Sequence, residues 1–207
     1  MSDNVCPWCF IGKRSIEKAI ADLAQSHPDV TVERHWHPFF LNPNSPLEGI
    51  NKREAYIAKF GEEKVKAIEP AMAAHGQRAG IKFSMGGKTG NTLRSHRLNK
   101  WAFDQGGVDG QDRVVETLFN GYFENEQDPT DVNFLASVAK TAGLDEAAAL
   151  AYLKSDQDAA EVQQEAEQLR RKHNISGVPF FIFPDGQTLS GGQQPEVFLQ
   201  ALIQSTK

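Results

Sequence analysis

The spacing of apolar positions changes several times along the chain, and each change marks an element. Ile16, Ile20 and Leu23 recur at helical spacing behind Pro7, which suits a first turn, so a helix is predicted from Pro7 to the His27-Pro28-Asp29 stop. Val30, Val32, Arg34 and Trp36 then alternate with Thr31, Glu33, His35 and His37, the period-two pattern of a strand reaching about Phe39. Asn42 to Gly49 reads as loop by composition. Helical patterns follow near 52–60, 62–79, 92–105, 111–125, 131–142, 145–154 and 156–173, broken at Gly61, Gly86-Gly87, Gly106-Gly107, Asp128-Pro129 and Gly143. Pro70 is expected to kink or divide the second of these. Ser155 can cap the last, with Asp156 and Asp158 at its positive end and Arg170, Arg171 and Lys172 at its negative end.

The pattern changes again near the end. Pro179 to Phe183 is a short apolar strand, Pro184 to Gln187 a turn, and Thr188 to Ser190 a return strand. Pro195 opens a final amphipathic helix carrying Val197, Phe198, Ala201 and Leu202. The sum is an α/β frame split by an all-helical insertion of about one hundred residues, too long to be loop. The divisions are 1–41, 42–155 and 156–207.

Composition narrows what such a frame can do. A chain of 207 residues with 40% hydrophobic positions buries a core without a disulfide or metal staple, so its two cysteines are free for chemistry. A net charge of −5 with scattered basic residues argues against nucleic acid as a partner, and the Arg170–Lys172 run reads as a helix end. No apolar run approaches the roughly 20 residues that span a bilayer, so no membrane partner is expected. The first residues lack a secretory pattern. A cytoplasmic location follows as an expectation, and there a close cysteine pair is catalytic or metal-binding more often than structural.

Cys6-Pro7-Trp8-Cys9 is that pair. At a helix start, unpaired N–H groups and the positive dipole end favour a thiolate, so Cys6 is the expected nucleophile and Cys9 the resolving thiol. Zinc uses the same spacing, and His35 and His37 on one strand face are the residues that would complete a zinc site. Asp3 would disfavour the thiolate if it came near. Trp8 should stay near the surface and can touch substrate. Gly177-Val178-Pro179 reads either as an ordinary start of a strand or as a cis Val178–Pro179 bond beside Cys6 that presents backbone to an extended substrate.

Five ordered motifs are similar to one family. Cys6 to Lys13 (CPWCFIGK), Pro38-Phe39-Phe40-Leu41-Asn42-Pro43, Asn91-Thr92 with Ser95-His96-Arg97-Leu98, Gly177 to Phe181, and Ser190 to Pro195 resemble the DsbA-like thioredoxin family in its FrnE-like branch. The resemblance spans nearly the whole chain. It implies a thioredoxin-like fold with a helical insertion, disulfide exchange at Cys6 and Cys9, a cis Pro179, and a substrate cleft bordered by Pro7, Trp8, Val178, Pro179 and His96. No metal and no cofactor is required, although glutathione could serve as co-substrate, and a homodimer is compatible. The partner would be a protein or small molecule carrying a thiol or disulfide. Relatives that act as glutathione-dependent isomerases (2-hydroxychromene-2-carboxylate isomerase) or kappa-class glutathione transferases offer a second reading, and a non-catalytic binding module a third. Family members also carry a central strand just before the cysteines. Only Met1 to Val5 precede Cys6, so that strand is expected to be missing or a stub.

Gly86-Gly87-Lys88-Thr89 lacks the first glycine of a phosphate loop, since position 82 is Lys82, and reads as a mobile loop. His96 is either a buried helix histidine or a cleft residue. Phe119, Tyr122 and Phe123, like Trp36 and Trp101, read as packing residues.

Overall fold

The computed structural model describes residues 1–206. In chain order its elements are α1 (Pro7–Ser26), β1 (Ile50–Asn51), α2 (Lys52–Phe60), α3 (Glu62–Ala79), β2 (Lys88–Thr89), α4 (Leu93–Glu124), α5 (Val132–Thr141), α6 (Glu146–Lys154), α7 (Ala159–Lys172), β3 (Phe180–Ile182), β4 (Thr188–Ser190) and α8 (Pro195–Ser205). β3 and β4 form an antiparallel hairpin with Phe181 opposite Leu189, and β1 and β2 a two-rung ladder with Ile50 opposite Thr89. Lys88 and Thr89 are therefore paired strand, not the free loop their glycines suggest. Among the described residues, no helix is long and apolar enough to cross a membrane.

Three apolar clusters hold the elements together. Leu98, Trp101, Val114 and Leu118 of α4 pack with Leu135 and Val138 of α5 and Leu153 of α6. Ile16, Ala19 and Leu23 of α1 pack with Phe183 and with Phe198, Ala201 and Leu202 of α8, and Val30 and Val32 lie against this cluster. The third joins the two regions: Cys6, Cys9, Phe10 and Ile11 meet Val115, Phe119, Tyr122 and Phe123 of α4. The ring of Phe10 stacks on Phe119 with centroids 5.0 Å apart.

Charge reinforces the same junction. Lys13, only 2% exposed, sits among Glu17, Asp112 and Glu116. Arg14 reaches Glu116 at 2.5 Å, and Arg34 reaches Asp112 at 2.8 Å. Burial alone would raise the Glu116 carboxyl, but Arg14 and Lys13 hold it down to about 2. A buried cation so enclosed is costly to unpair, by about 3–5 kcal/mol. The cysteine helix is thus fastened to the insertion by packing and by ions.

The break expected at Gly106-Gly107 is present: within α4 two helices meet at a kink at Gly107 (φ 61°, ψ −159°). The structure departs from the sequence pattern at three further places. Pro70 lies inside α3 without dividing it, because the carbonyl it deprives of a partner belongs to exposed Lys66. Ser155 ends α6 instead of capping α7; its hydroxyl accepts from the Gln157 N–H, and α7 starts after Asp158 in the left-handed region (φ 60°).

The third concerns Val30–Phe39, whose alternation predicts a strand. Its inner edge forms a parallel bridge only at Pro38, through Ser2: the Ser2 N–H donates to the His37 carbonyl and the Phe39 N–H to the Ser2 carbonyl, both at 3.0 Å. Met1 exchanges hydrogen bonds with Phe180 on the other side. Met1 and Ser2 therefore join the Pro38 segment to β3. Period two is present, but a strand needs a partner along its length.

Candidate active site

Pro7 starts α1 at a position where the missing N–H costs nothing, which leaves Cys6 as the extended N-cap residue (φ −92°, ψ 113°) and Cys9 one turn inside. Both cysteines are free and buried, 4% and 1% exposed. The Cys6 Sγ donates to the Val178 carbonyl at 3.5 Å, and the Val178–Pro179 peptide bond is cis. A small residue allows this approach: a Cβ on Gly12 would lie 3.2 Å from both Pro179 and Phe181. The Pro179 carbonyl accepts from the Gly191 N–H at 2.8 Å, so the Ser190–Pro195 turn is tied to the same strand.

Trp8 is 38% exposed, as expected for a residue between the cysteines. It lies edge-on to His75 of α3 at 4.8 Å, and a Cβ on Gly192 would come within 3.2 Å of its carbonyl. Two loops and an insertion helix thus meet around the cysteine turn. His75 carried no sequence signal, because its only cue is this contact.

The electrostatics run against the simple helix-dipole expectation. Interaction with the Cys9 side chain, then burial, push the Cys6 thiol well above its ordinary range, and Asp3 adds to the rise. Asp3 is 1% exposed and accepts from the Leu41 N–H at 2.8 Å. Burial and then the Cys6 sulfur likewise push the Tyr56 hydroxyl of α2 up to about 12, which places a tyrosine of the insertion within electrostatic reach of the nucleophile. Lys52, at the start of the same helix, is buried beneath Tyr122; it donates to the Tyr122 carbonyl at 2.9 Å, and burial lowers it to about 8.

These charges give a signed prediction. A carboxylate beside a thiol disfavours the thiolate, so Asp3→Asn should lower the Cys6 pKa and speed its alkylation at pH 7. The amide oxygen of Asn can still receive the Leu41 N–H. Bimane labelling of reduced protein from pH 6 to 10 should show the profile moved to lower pH, and an unmoved profile would remove Asp3 from the thiol's surroundings. The same rise has a stability consequence. Folded Cys6 holds its proton more tightly than the unfolded thiol does, so its contribution is complete below the ordinary thiol range and is lost as pH rises through the folded value.

The other residues singled out in the sequence fall elsewhere. His96 is 3% exposed; its Nε2 lies 3.0 Å from the Phe39 carbonyl and 3.6 Å from Asp3. Through Asp3 it acts three residues before Cys6. Asn91 donates to the Pro43 carbonyl at 2.9 Å, so the motif of Asn91 and His96 stitches the 38–43 motif to the start of α4. His37 pairs with Glu165 at 2.6 Å and His35 faces Phe103, so neither joins the cysteines in the zinc arrangement. Among the described residues, no three His, Cys, Asp or Glu side chains gather in a metal-ligating group.

Comparison with known proteins agrees with this arrangement. The model of the DSBA-like thioredoxin domain matches residues 1–203. The chain belongs to the DSBA-like thioredoxin family. A probable DsbA oxidoreductase from Streptomyces coelicolor superposes with a TM-score of 0.85 at 30% identity, covering 99% of this chain and 87% of that one. A 2-hydroxychromene-2-carboxylate isomerase shares the fold at a TM-score of 0.67 and 15% identity, over 98% of this chain and 92% of its own. The uncharacterised protein YwbO of Bacillus subtilis (strain 168) is 26% identical over 209 residues, which is 100% of this chain and 95% of YwbO. The α/β frame with its helical insertion is therefore that of a DSBA-like domain, and the motif resemblance holds at the family level.

Proposed function

We propose that this DSBA-like chain is a thiol–disulfide oxidoreductase using Cys6 and Cys9. One observation carries the reading: the N-cap sulfur of α1 meets the Val178 carbonyl beside the cis Pro179, with a second thiol one turn behind it. In the reducing direction, the Cys6 thiolate attacks one sulfur of a substrate disulfide, forming a mixed disulfide and expelling a substrate thiolate. Cys9, deprotonated, then attacks Sγ of Cys6 and expels the second substrate thiolate. The products are a Cys6–Cys9 disulfide and two substrate thiols, with two electrons passed to the substrate. The reverse sequence oxidises a dithiol, and the partner's potential sets the direction.

Trp8 and the Val178-Pro179 edge are the proposed substrate contacts, and Pro7 shapes the turn that presents Cys6. His96 acts from behind, holding the Phe39 carbonyl and Asp3. Glutathione remains a proposed source of electrons and a reducing cytoplasm the proposed setting, where the Cys6–Cys9 pair would be regenerated as a dithiol. Likeness to the isomerase is one of fold, whereas the paired cysteines favour disulfide exchange.

Trapping tests the order of attack. Cys9→Ser, mixed with a disulfide-bonded protein substrate, should accumulate a covalent adduct through Cys6 that reducing agent releases and that wild type does not retain. An adduct that accumulates equally in wild type would mean that Cys9 does not resolve it.

A further inference from the structure

The proposed nucleophile is closed off from solvent, with Cys6 4% exposed and Cys9 1%. A substrate sulfur has to come within bonding distance of the Cys6 Sγ, so one wall of the site must move first. Three walls meet at the cysteine turn. The Val178–Pro179 edge receives the Cys6 thiol and is tied into the β3–β4 hairpin, where the Pro179 carbonyl accepts from the Gly191 N–H. Gly192 of the same turn lies close against the Trp8 carbonyl. The third wall is α3. Its Met72 and Ala79 pack on the cluster that holds both cysteines, and its His75 meets Trp8.

Of the three, this last wall is held most thinly. Lys52 alone of the nine residues of α2 is buried, and only Val65 and Gly76 of the eighteen of α3. By contrast, α4 buries side chains along its whole length, from Ser95 to Phe123. A segment with few buried apolar side chains opens more readily than the core beneath it. The helix pair also ends at a point that can turn. Gly80, just after α3, has φ 71°, and a Cβ there would meet no described residue within 4 Å. Pro70 deprives α3 of one internal hydrogen bond shortly before Met72 and His75. The other end is pinned, because Lys52 donates to the Ser84 and Tyr122 carbonyls.

We propose that α2 and α3 form a lid over Cys6, latched by the His75 ring on Trp8, which must part before a substrate sulfur reaches the nucleophile. The proposal rests on the reading of Cys6 as nucleophile and adds how that sulfur is reached. Trp8 stands between the two cysteines, so freeing it from His75 uncovers the turn that carries both. A substrate side chain that takes the place of His75 against Trp8 holds the lid open, whereas the closed lid shields the dithiol from adventitious oxidants.

The test follows two rates in the reduced full chain carrying Cys9→Ser: alkylation of Cys6 by iodoacetamide, and amide hydrogen exchange along α3 and α4. Adding His75→Ala should speed alkylation and exchange of the Met72–Ala79 amides by the same factor, about threefold to tenfold for one lost aromatic contact, with the α4 amides unchanged. His75→Phe, which keeps a ring against Trp8, should return both rates to those of the parent. The pH midpoint of alkylation should stay in place, because the latch controls access and not the thiolate. Unchanged alkylation while α3 loosens would show that Cys6 is reached by another route and overturn the lid. Equal speeding of the α4 amides would mean global loosening, and unchanged exchange would remove the latch; either overturns the proposal. A moved midpoint would assign His75 to the chemistry of the thiol and overturn it as well. Alkylation needs neither a disulfide substrate nor a resolving thiol, so these outcomes are independent of whether Cys9→Ser traps a mixed disulfide.

Discussion

Cys6→Ser is expected to cut thiol–disulfide exchange to background, a loss on the order of 10³-fold or more, with little change in unfolding temperature. The two outcomes separate because the residue has two independent roles. As nucleophile it must form a sulfur–sulfur bond, which a hydroxyl cannot. As an N-cap residue it is held by its donation to the Val178 carbonyl, and serine is a favoured N-cap that can make the same bond. Cys6 is 4% exposed, and replacing sulfur with oxygen removes little volume. Turnover of a fluorescent dithiol substrate, measured beside a thermal melt, checks both. Full exchange in Cys6→Ser would rule out the mechanism. A collapsed melt with residual exchange would mean that the sulfur mainly holds the fold.

Phe10→Ala should have the largest effect on stability, a loss of about 3–5 kcal/mol. Phe10 is wholly buried one residue beyond Cys9. Its ring stacks on Phe119 at 5.0 Å and on Phe123 at 6.0 Å, meets Phe83 edge-on at 6.4 Å, and lies under the Arg14 guanidinium. Truncation removes the ring and leaves a cavity between the cysteine helix and α4, whose spacing the ion pairs of Lys13 and Arg14 with Glu116 hold. Urea unfolding should show the midpoint lowered with the slope unchanged. A loss under about 1 kcal/mol would mean that the insertion and the cysteine helix are stabilised separately.

Much of this was legible in the residues. The helix after Cys6, the helical insertion, the β3–β4 hairpin and the final helix each have a local signature of period, proline or turn residues, and local signatures survive folding. The cysteine turn and the Val178–Pro179 edge were readable as motifs. What stayed hidden depends on partners distant in the chain. Val30–His37 has the alternation of a strand, but pairing is a property of two segments, and among the described residues Ser2 supplies it at one end alone. The raised Cys6 thiol could not be deduced from a helix start alone, because the neighbouring sulfur, burial and Asp3 outweigh the dipole. His75 against Trp8 and Tyr56 near Cys6 are contacts of the insertion, without a pattern to mark them. Asp158 in the left-handed region displaced a cap that Ser155 satisfied on paper.

The outer edge of the Val30–His37 segment is closed in an unusual way. The Gln111 side chain of α4 takes both backbone groups of Trp36: its Oε1 accepts from the N–H at 2.9 Å, and its Nε2 donates to the carbonyl at 3.1 Å. The indole N–H of Trp36 is held by Asp112, which also pairs with Arg34. One primary amide therefore imitates a rung of sheet and blunts an edge that would otherwise be a template for stacking copies of the molecule side by side. The insertion thus closes this edge from its own side, and a chain with Gln111 replaced by an apolar residue would leave the N–H and carbonyl of Trp36 without these partners.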